Sequence, residues 1–134
     1  MTDLLAVPAQ WVTLRTQTEE GLPVVVLVDQ AVATTAPYDG HPVQVAVGVP
    51  FSADDSGLPL EPERPRLKEL EQRLVDAAAA SARLVAVMTL EGVREWTFYG
   101  RDASWADPLR TTGLSVLATD DPSYQGLREL SGLA

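Results

Sequence analysis

The sequence predicts an α+β fold. We expect a two-layer sandwich with a mostly antiparallel sheet of about five or six strands, and with one long helix and a short C-terminal helix on one face. Two observations predict it. Short β-rich segments cluster on either side of one long helical segment instead of alternating with helices. The chain has 134 residues, of which 46% are hydrophobic, and this fits a single domain spanning residues 1–134 with its own core.

Three segments before residue 51 have the patterns of strands. Residues 11–15 alternate apolar and polar side chains, as a half-buried strand does. Residues 24–28 are apolar throughout, which is typical of a central strand covered on both faces. Residues 43–49 alternate valine with small or polar residues, so the valines are expected to face the core.

A long helix is predicted after the loop at residues 51–64, whose Gly, Pro and Asp content is typical of turns. Pro62 or Pro65 can occupy the first turn of this helix, where the missing N–H costs little. Apolar or small residues then recur at spacings of three and four, which predicts one buried stripe. The stripe consists of Leu67, Leu70, Leu74, Ala77, Ala78 and Ser81.

Two further β-rich segments predict a hairpin. Residues 84–90 and 93–99 are separated by Glu91-Gly92, which is a two-residue hairpin signal. In the second strand, Arg94, Trp96 and Phe98 are expected on one face, and Val93, Glu95, Thr97 and Tyr99 on the other.

The C-terminal region predicts one more strand and a short helix. Residues 114–119 form the strand. Asp121 is expected to cap the helix and Pro122 to take its first position. The helix is expected to end near Gly132.

Charge and composition exclude several functions. The net charge is −9, and the first 61 residues carry eight acidic side chains against Arg15 alone. This argues against binding to duplex nucleic acid or to an anionic membrane surface. The absence of cysteine excludes disulfides and cysteine metal sites. The N-terminus lacks the features of a signal peptide, and the longest apolar run is too short for a membrane span, so a cytoplasmic location is expected.

His41 is the single histidine and the one candidate for a catalytic base. It lies in the segment Asp39-Gly40-His41-Pro42, where it could act together with Asp39. The alternative is an exposed histidine in a turn beside a proline. The sequence contains no glycine-rich phosphate loop and no spaced metal-ligand motif, so neither a cofactor nor a metal is expected.

Aromatic residues supply the candidate binding residues. Arg94, Trp96 and Tyr99 form one candidate surface, although an aromatic strand is more often part of a core. Trp11 and Trp105 lie outside the strongest core segments, where tryptophan often fills a groove or an interface.

Several motifs in order carry a resemblance to a known family. They are Trp11, Gly21-Leu22-Pro23, Pro42 before Val-x-Val-x-Val, Gly57-Leu58-Pro59, residues 88–99 (MTLEGVREWTFY) and Asp121-Pro122-Ser123-Tyr124. Over residues 9–130 the chain resembles the bacterial domain of unknown function 695 family. That family has no established catalytic residues, and some members are fused to a domain similar to the regulator of ribonuclease E activity B. The resemblance therefore implies a regulatory, non-enzymatic role. The chain departs from the family at Tyr124, where an aromatic residue, commonly Trp, follows the Asp-Pro pair, and at Asp29, where many members carry Asn.

Three functional hypotheses follow. The leading one is a small binding or regulatory module that acts through protein contact, self-association included. The second is a small hydrolase that uses His41 with the carboxylate of Asp29 or Asp39. The third is a regulator of RNA turnover, by analogy with the fused relatives. A functional surface is expected first around Arg94, Trp96 and Tyr99, and then at the loop of residues 51–61 and His41.

Overall fold

The computed structural model describes residues 3–132. The strands are β1 (Trp11–Gln17), β2 (Pro23–Asp29), β3 (Val43–Pro50), β4 (Ala82–Leu90), β5 (Val93–Gly100) and β6 (Ser115–Asp120). The helices are α1 (Gln30–Thr35), α2 (Glu63–Ala78) and α3 (Gln125–Ser131), and short 3₁₀ helices span Leu4–Ala6 and Ser104–Thr111. All six strands form one antiparallel sheet in the order β1-β2-β4-β5-β3-β6, which confirms the predicted α+β class.

The long helix α2 packs on one face of this sheet, called here the α2 face. Its buried side chains Leu67, Leu74 and Ala78 contact valines of β3 together with Trp96 and Phe98 of β5. Trp96 and Phe98 share this face because strand residues two apart point the same way. The core on this side therefore lies under the centre of the sheet.

The opposite face carries α1 and α3 and is called the α3 face. Tyr124, Leu127 and Val32 are buried there against the valines Val24, Val26 and Val28 of β2. The placement of the two predicted helices thus differs from the expectation of a single shared face. The reason is that Val24, Val26 and Val28 form an apolar surface on this face, and α1 and α3 cover it. The expectation that residues 24–28 are covered on both faces is wrong, because Leu27 stays exposed on the α2 face.

Two local features also differ from the sequence expectation. The helix α1, which no sequence pattern predicts, is six residues long and follows directly after Asp29. The C-terminal helix begins at Gln125, because Tyr124 takes a left-handed conformation with φ +59°. The Asp121 carboxylate nevertheless accepts hydrogen bonds from the backbone N–H groups of Gln125 (3.0 Å) and Gly126 (2.9 Å), which satisfies donors of the first helical turn.

The loop between β3 and α2 is held against the β4–β5 turn. The Gly92 N–H donates to the carbonyl of Gly57 at 2.9 Å, and the Phe51 N–H donates to the carbonyl of Gly92 at 2.9 Å. Gly57 has φ +88°, and a Cβ at this position would lie 2.7 Å from the Cα of Glu91. Glycine is therefore required here both for backbone conformation and for space.

Candidate functional site

The α2 face has an open groove beside α2, because this helix leaves β1 and β2 uncovered. Three apolar side chains remain exposed there: Trp11 at 43%, Leu27 at 38% and Val75 at 39%. Two adjoining cavities of about 230 and 480 Å³ occupy the space. We call it the edge groove and define it by Trp11, Leu27, Glu71, Val75, Leu84 and Val87.

The floor and one wall of the edge groove are fixed by the sheet. Leu27 of β2 lies opposite Val87 of β4, which in turn lies opposite Trp96 of β5. The Trp96 indole N–H donates to a carboxylate oxygen of Glu71 at 2.9 Å, and Trp96 itself is fully buried. This bond holds the Glu71 side chain on the wall formed by α2.

One end of the groove is closed by residues 3–10, called here the N-terminal strap. The Arg83 guanidinium donates to the carbonyl of Leu4 at 2.7 Å and also to the carbonyl of Val7. It forms an ion pair with the fully buried Asp29 at 2.7 Å. The other Asp29 oxygen accepts from the Gln10 N–H at 3.1 Å. One buried ion pair thus anchors the strap at three points.

The other end of the groove carries two arginines. In the strand registers, Arg15, Val25, Thr89 and Arg94 lie opposite one another across four strands, and we call them the arginine row. Arg15 is exposed, whereas Arg94 is half-buried and donates from Nε to the Thr89 hydroxyl at 2.9 Å. Burial lowers the pKa of Arg94, and the negative charge of Glu71 opposes that shift. Both side chains point to the α2 face.

Tyr99 lies on the α3 face, away from the groove, and is fully buried. Its hydroxyl donates to Asp121 at 2.6 Å and accepts from the Leu127 N–H at 3.2 Å and the Gln44 amide at 3.1 Å. Its ring stacks on that of Tyr124 at 4.0 Å between centroids. Burial, followed by the bond to Asp121, raises the pKa of Tyr99. These contacts attach α3 to the sheet.

His41 is buried, with 8% of its surface exposed, and this differs from an exposed turn position. Its Nε2 lies 3.6 Å from Asp3, and its carbonyl accepts from the Tyr124 hydroxyl at 2.8 Å. Within residues 3–132, Nδ1 of His41 has no hydrogen-bond partner. Asp39 is exposed and forms no ion pair with His41 among these residues, and Asp29 pairs with Arg83 instead.

The remaining candidates lie elsewhere. Trp105 is half-buried against Phe98, with ring centroids 4.8 Å apart. In the loop of residues 51–61, Asp54 accepts from the Ser56 hydroxyl at 2.6 Å and from the Leu58 N–H at 3.1 Å, so this carboxylate closes a turn. The hydrogen bond from Ser56 is the largest cause that lowers the pKa of Asp54. No three His, Asp or Glu side chains of the described chain come together as a metal-binding group.

Five binding residues were named from the sequence. Trp11 lies in the edge groove, Arg94 lies in the arginine row, and Trp96 is buried beneath the wall of the groove that α2 forms. Tyr99 and Trp105 belong to other clusters. Sequence reasoning missed Leu27, Val75 and Glu71. The exposure of Leu27 and Val75, and the position of Glu71 beside them, depend on β2 lying next to an edge strand that no helix covers, and no local pattern signals that strand order.

Between residues 3 and 132 no helix has the length and apolarity needed to cross a membrane. No curated protein and no solved structure matches the chain. The model of a family of unknown function, DUF695, matches residues 9–121. This match covers most of the 134 residues, so the chain belongs to the DUF695 family.

Proposed function

We propose that the protein is a non-enzymatic binding or regulatory module that acts by protein contact at the edge groove. The observation that carries this proposal is the exposure of Trp11, Leu27 and Val75 side by side on a rigid sheet and helix. Apolar side chains grouped around a concave surface and joined by a tryptophan are typical of protein-binding sites. We also propose a cytoplasmic location for this module.

The groove is built for recognition more than for reaction. Its ionisable groups are held by structural partners, Glu71 by the Trp96 indole and Asp29 by Arg83. A catalytic acid or base needs a free side chain within reach of a substrate proton. His41, the candidate base, lies among the tyrosines of the α3 face, where the Tyr124 hydroxyl bonds its carbonyl. These contacts support a binding role over the hydrolase alternative.

The proposal is tested by site-specific photo-crosslinking in cells that naturally contain the protein. Leu27 is replaced by p-benzoylphenylalanine, which places the reactive ketone in the groove. The matched control carries the same residue at Leu117, an exposed side chain (64%) on the opposite face of β6. Irradiation is expected to give discrete adducts from position 27, identified by mass spectrometry.

The controls distinguish crosslinking to a specific partner from nonspecific crosslinking. The adducts from position 27 should disappear when Trp11 is also changed to Glu, with the thermal unfolding profile unchanged. An adduct with the chain itself would identify the partner as a second copy. Identical adduct patterns from positions 27 and 117, or no adduct from position 27, would contradict the proposal.

A further inference from the structure

The edge groove has a shape and a charge that define what it can hold. We propose that its occupant is an amphipathic helix of a partner protein, whose apolar stripe ends in acidic residues near the carboxyl terminus of that helix. This inference rests on the proposed function and names the chemistry of the partner at the same groove.

The dimensions of the uncovered surface match one helix. Two strands, β1 and β2, lie uncovered beside α2, and neighbouring strands are about 4.8 Å apart, so the gap is about 10 Å wide. A helix with its side chains has a diameter of about 10–12 Å. From Trp11 to Arg15 the strand rises about 13 Å, which is the length of about nine helical residues. A docked helix would lie next to α2 and complete its layer.

The apolar contacts favour a helix over an isolated extended strand. Leu27 and Leu84 lie on the floor, while Trp11 and Val75 stand on opposite sides. A helical stripe with spacings of three and four presents its apolar side chains downward and sideways, toward a floor and two walls. An extended strand points every second side chain away from the floor. The docked helix would cover the exposed Val75 of α2 with an apolar side chain of its own.

The positive charges at one end of the groove determine which side chains the partner helix carries there and which of its ends lies there. Arg15 is the one basic residue in the first 61, and it lies in the same row as Arg94, about three strand spacings or 14 Å away. Two cations at one end of an apolar groove favour carboxylates on the ligand. They also favour the negative carboxyl end of a helix dipole. Glu71, the acidic side chain on the wall, is held by the Trp96 indole and lies nearer the middle of the groove.

The chain as a whole is acidic, with a net charge of −9, so the arginine row is a local basic patch on an acidic protein. Charges beyond about 8 Å are screened at physiological ionic strength, so the row determines which charge the groove accepts.

The test uses three synthetic helical peptides and fluorescence anisotropy. All share one stripe of leucines at spacings of three and four, and their last turn carries glutamates, glutamines or lysines. The acidic peptide is expected to bind the full chain at least about ten-fold more tightly than the lysine peptide, with glutamine between them. Changing Arg15 or Arg94 to Glu should remove this preference and improve binding of the lysine peptide.

The matched control is R73E. Arg73 is an exposed arginine of α2 that pairs with Glu69, and it lies on the flank of the helix that faces away from the groove. R73E should keep the preference for the acidic peptide. Circular dichroism must show equal thermal unfolding of R15E and R73E, so that lost binding is not lost folding. Moving the glutamates to the first turn of the peptide should weaken binding, because the arginine row then faces the wrong end.

The outcomes separate this inference from the proposed function. If photo-crosslinking from position 27 succeeds but the three peptides bind equally, the groove binds protein and the acidic-helix inference is wrong. The inference is also overturned if R15E and R73E behave alike, or if none of the peptides binds. An adduct of position 27 with a second copy of the chain would overturn it as well.

Discussion

We expect the stability of the fold to be especially sensitive to loss of the ion pair between Arg83 and Asp29. We expect R83M, which keeps an unbranched apolar stem but removes the guanidinium group and its charge, to lower the free energy of unfolding by about 3–5 kcal/mol. This is the cost of removing one partner of a buried ion pair. The structure supports the upper part of that range, since Asp29 is fully buried and Arg83 also donates to the carbonyls of Leu4 and Val7.

The measurement is urea unfolding followed by circular dichroism. For a chain of this length, each kcal/mol lowers Tm by about 3–5 °C, so thermal unfolding of R83M should occur about 9–25 °C lower. The double variant D29N/R83M should be less destabilised than R83M, because it leaves no unpaired carboxylate in the interior. The control R73M removes an exposed pair with Glu69 and should change stability by about 0.5 kcal/mol or less.

Two results would refute this reasoning. R83M could unfold within about 1 kcal/mol of the wild type, which would mean that the pair stabilises the strap no more than a surface pair does. Alternatively, the effects of D29N and R83M could simply add, which would mean that the two side chains are not energetically coupled.

Three further outcomes are expected. Y99F should cost about 1–3 kcal/mol in urea unfolding, because the buried Leu127 N–H loses its acceptor. The pKa values of Tyr99 and Tyr124 are raised by burial, so the folded chain keeps protons that the unfolded chain releases above about pH 10. Stability should therefore be unaffected by these groups below that pH and should fall as the pH rises beyond it, as measured by urea unfolding at a series of alkaline pH values with tyrosinate absorbance. G57A should be more destabilising than G40A in thermal unfolding: both positions have positive φ, but a Cβ at residue 40 meets nothing within 4 Å.

Local patterns predicted most of the elements correctly. The Glu91-Gly92 signal lies between β4 and β5, and the alternation in 93–99 separates Trp96 from Tyr99 as observed. These predictions succeeded because strand alternation and turn chemistry are short-range properties. The helix α1 was missed because its six residues are too few to show a helical period.

The site was less predictable than the fold. The exposure of Leu27 and the burial of His41 depend on which segments cover which part of the sheet. His41 is buried next to Tyr124, a residue more than 80 positions later in the chain, whose hydroxyl donates to the His41 carbonyl. A contact between residues so far apart in sequence cannot be predicted from the residues that flank His41. The face that α3 covers likewise depends on the valines of β2, a strand that lies far earlier in the chain.

The position of β3 between β5 and β6 has a consequence for how the chain is made. Both neighbours of β3 are encoded after it, so a nascent polypeptide leaves the ribosome with a valine-rich strand whose two edges are open. Unpaired edges of this kind invite association with other chains. Until β5 is synthesised, neither edge of β3 has its partner strand, so truncated products that end before residue 93 should aggregate most readily.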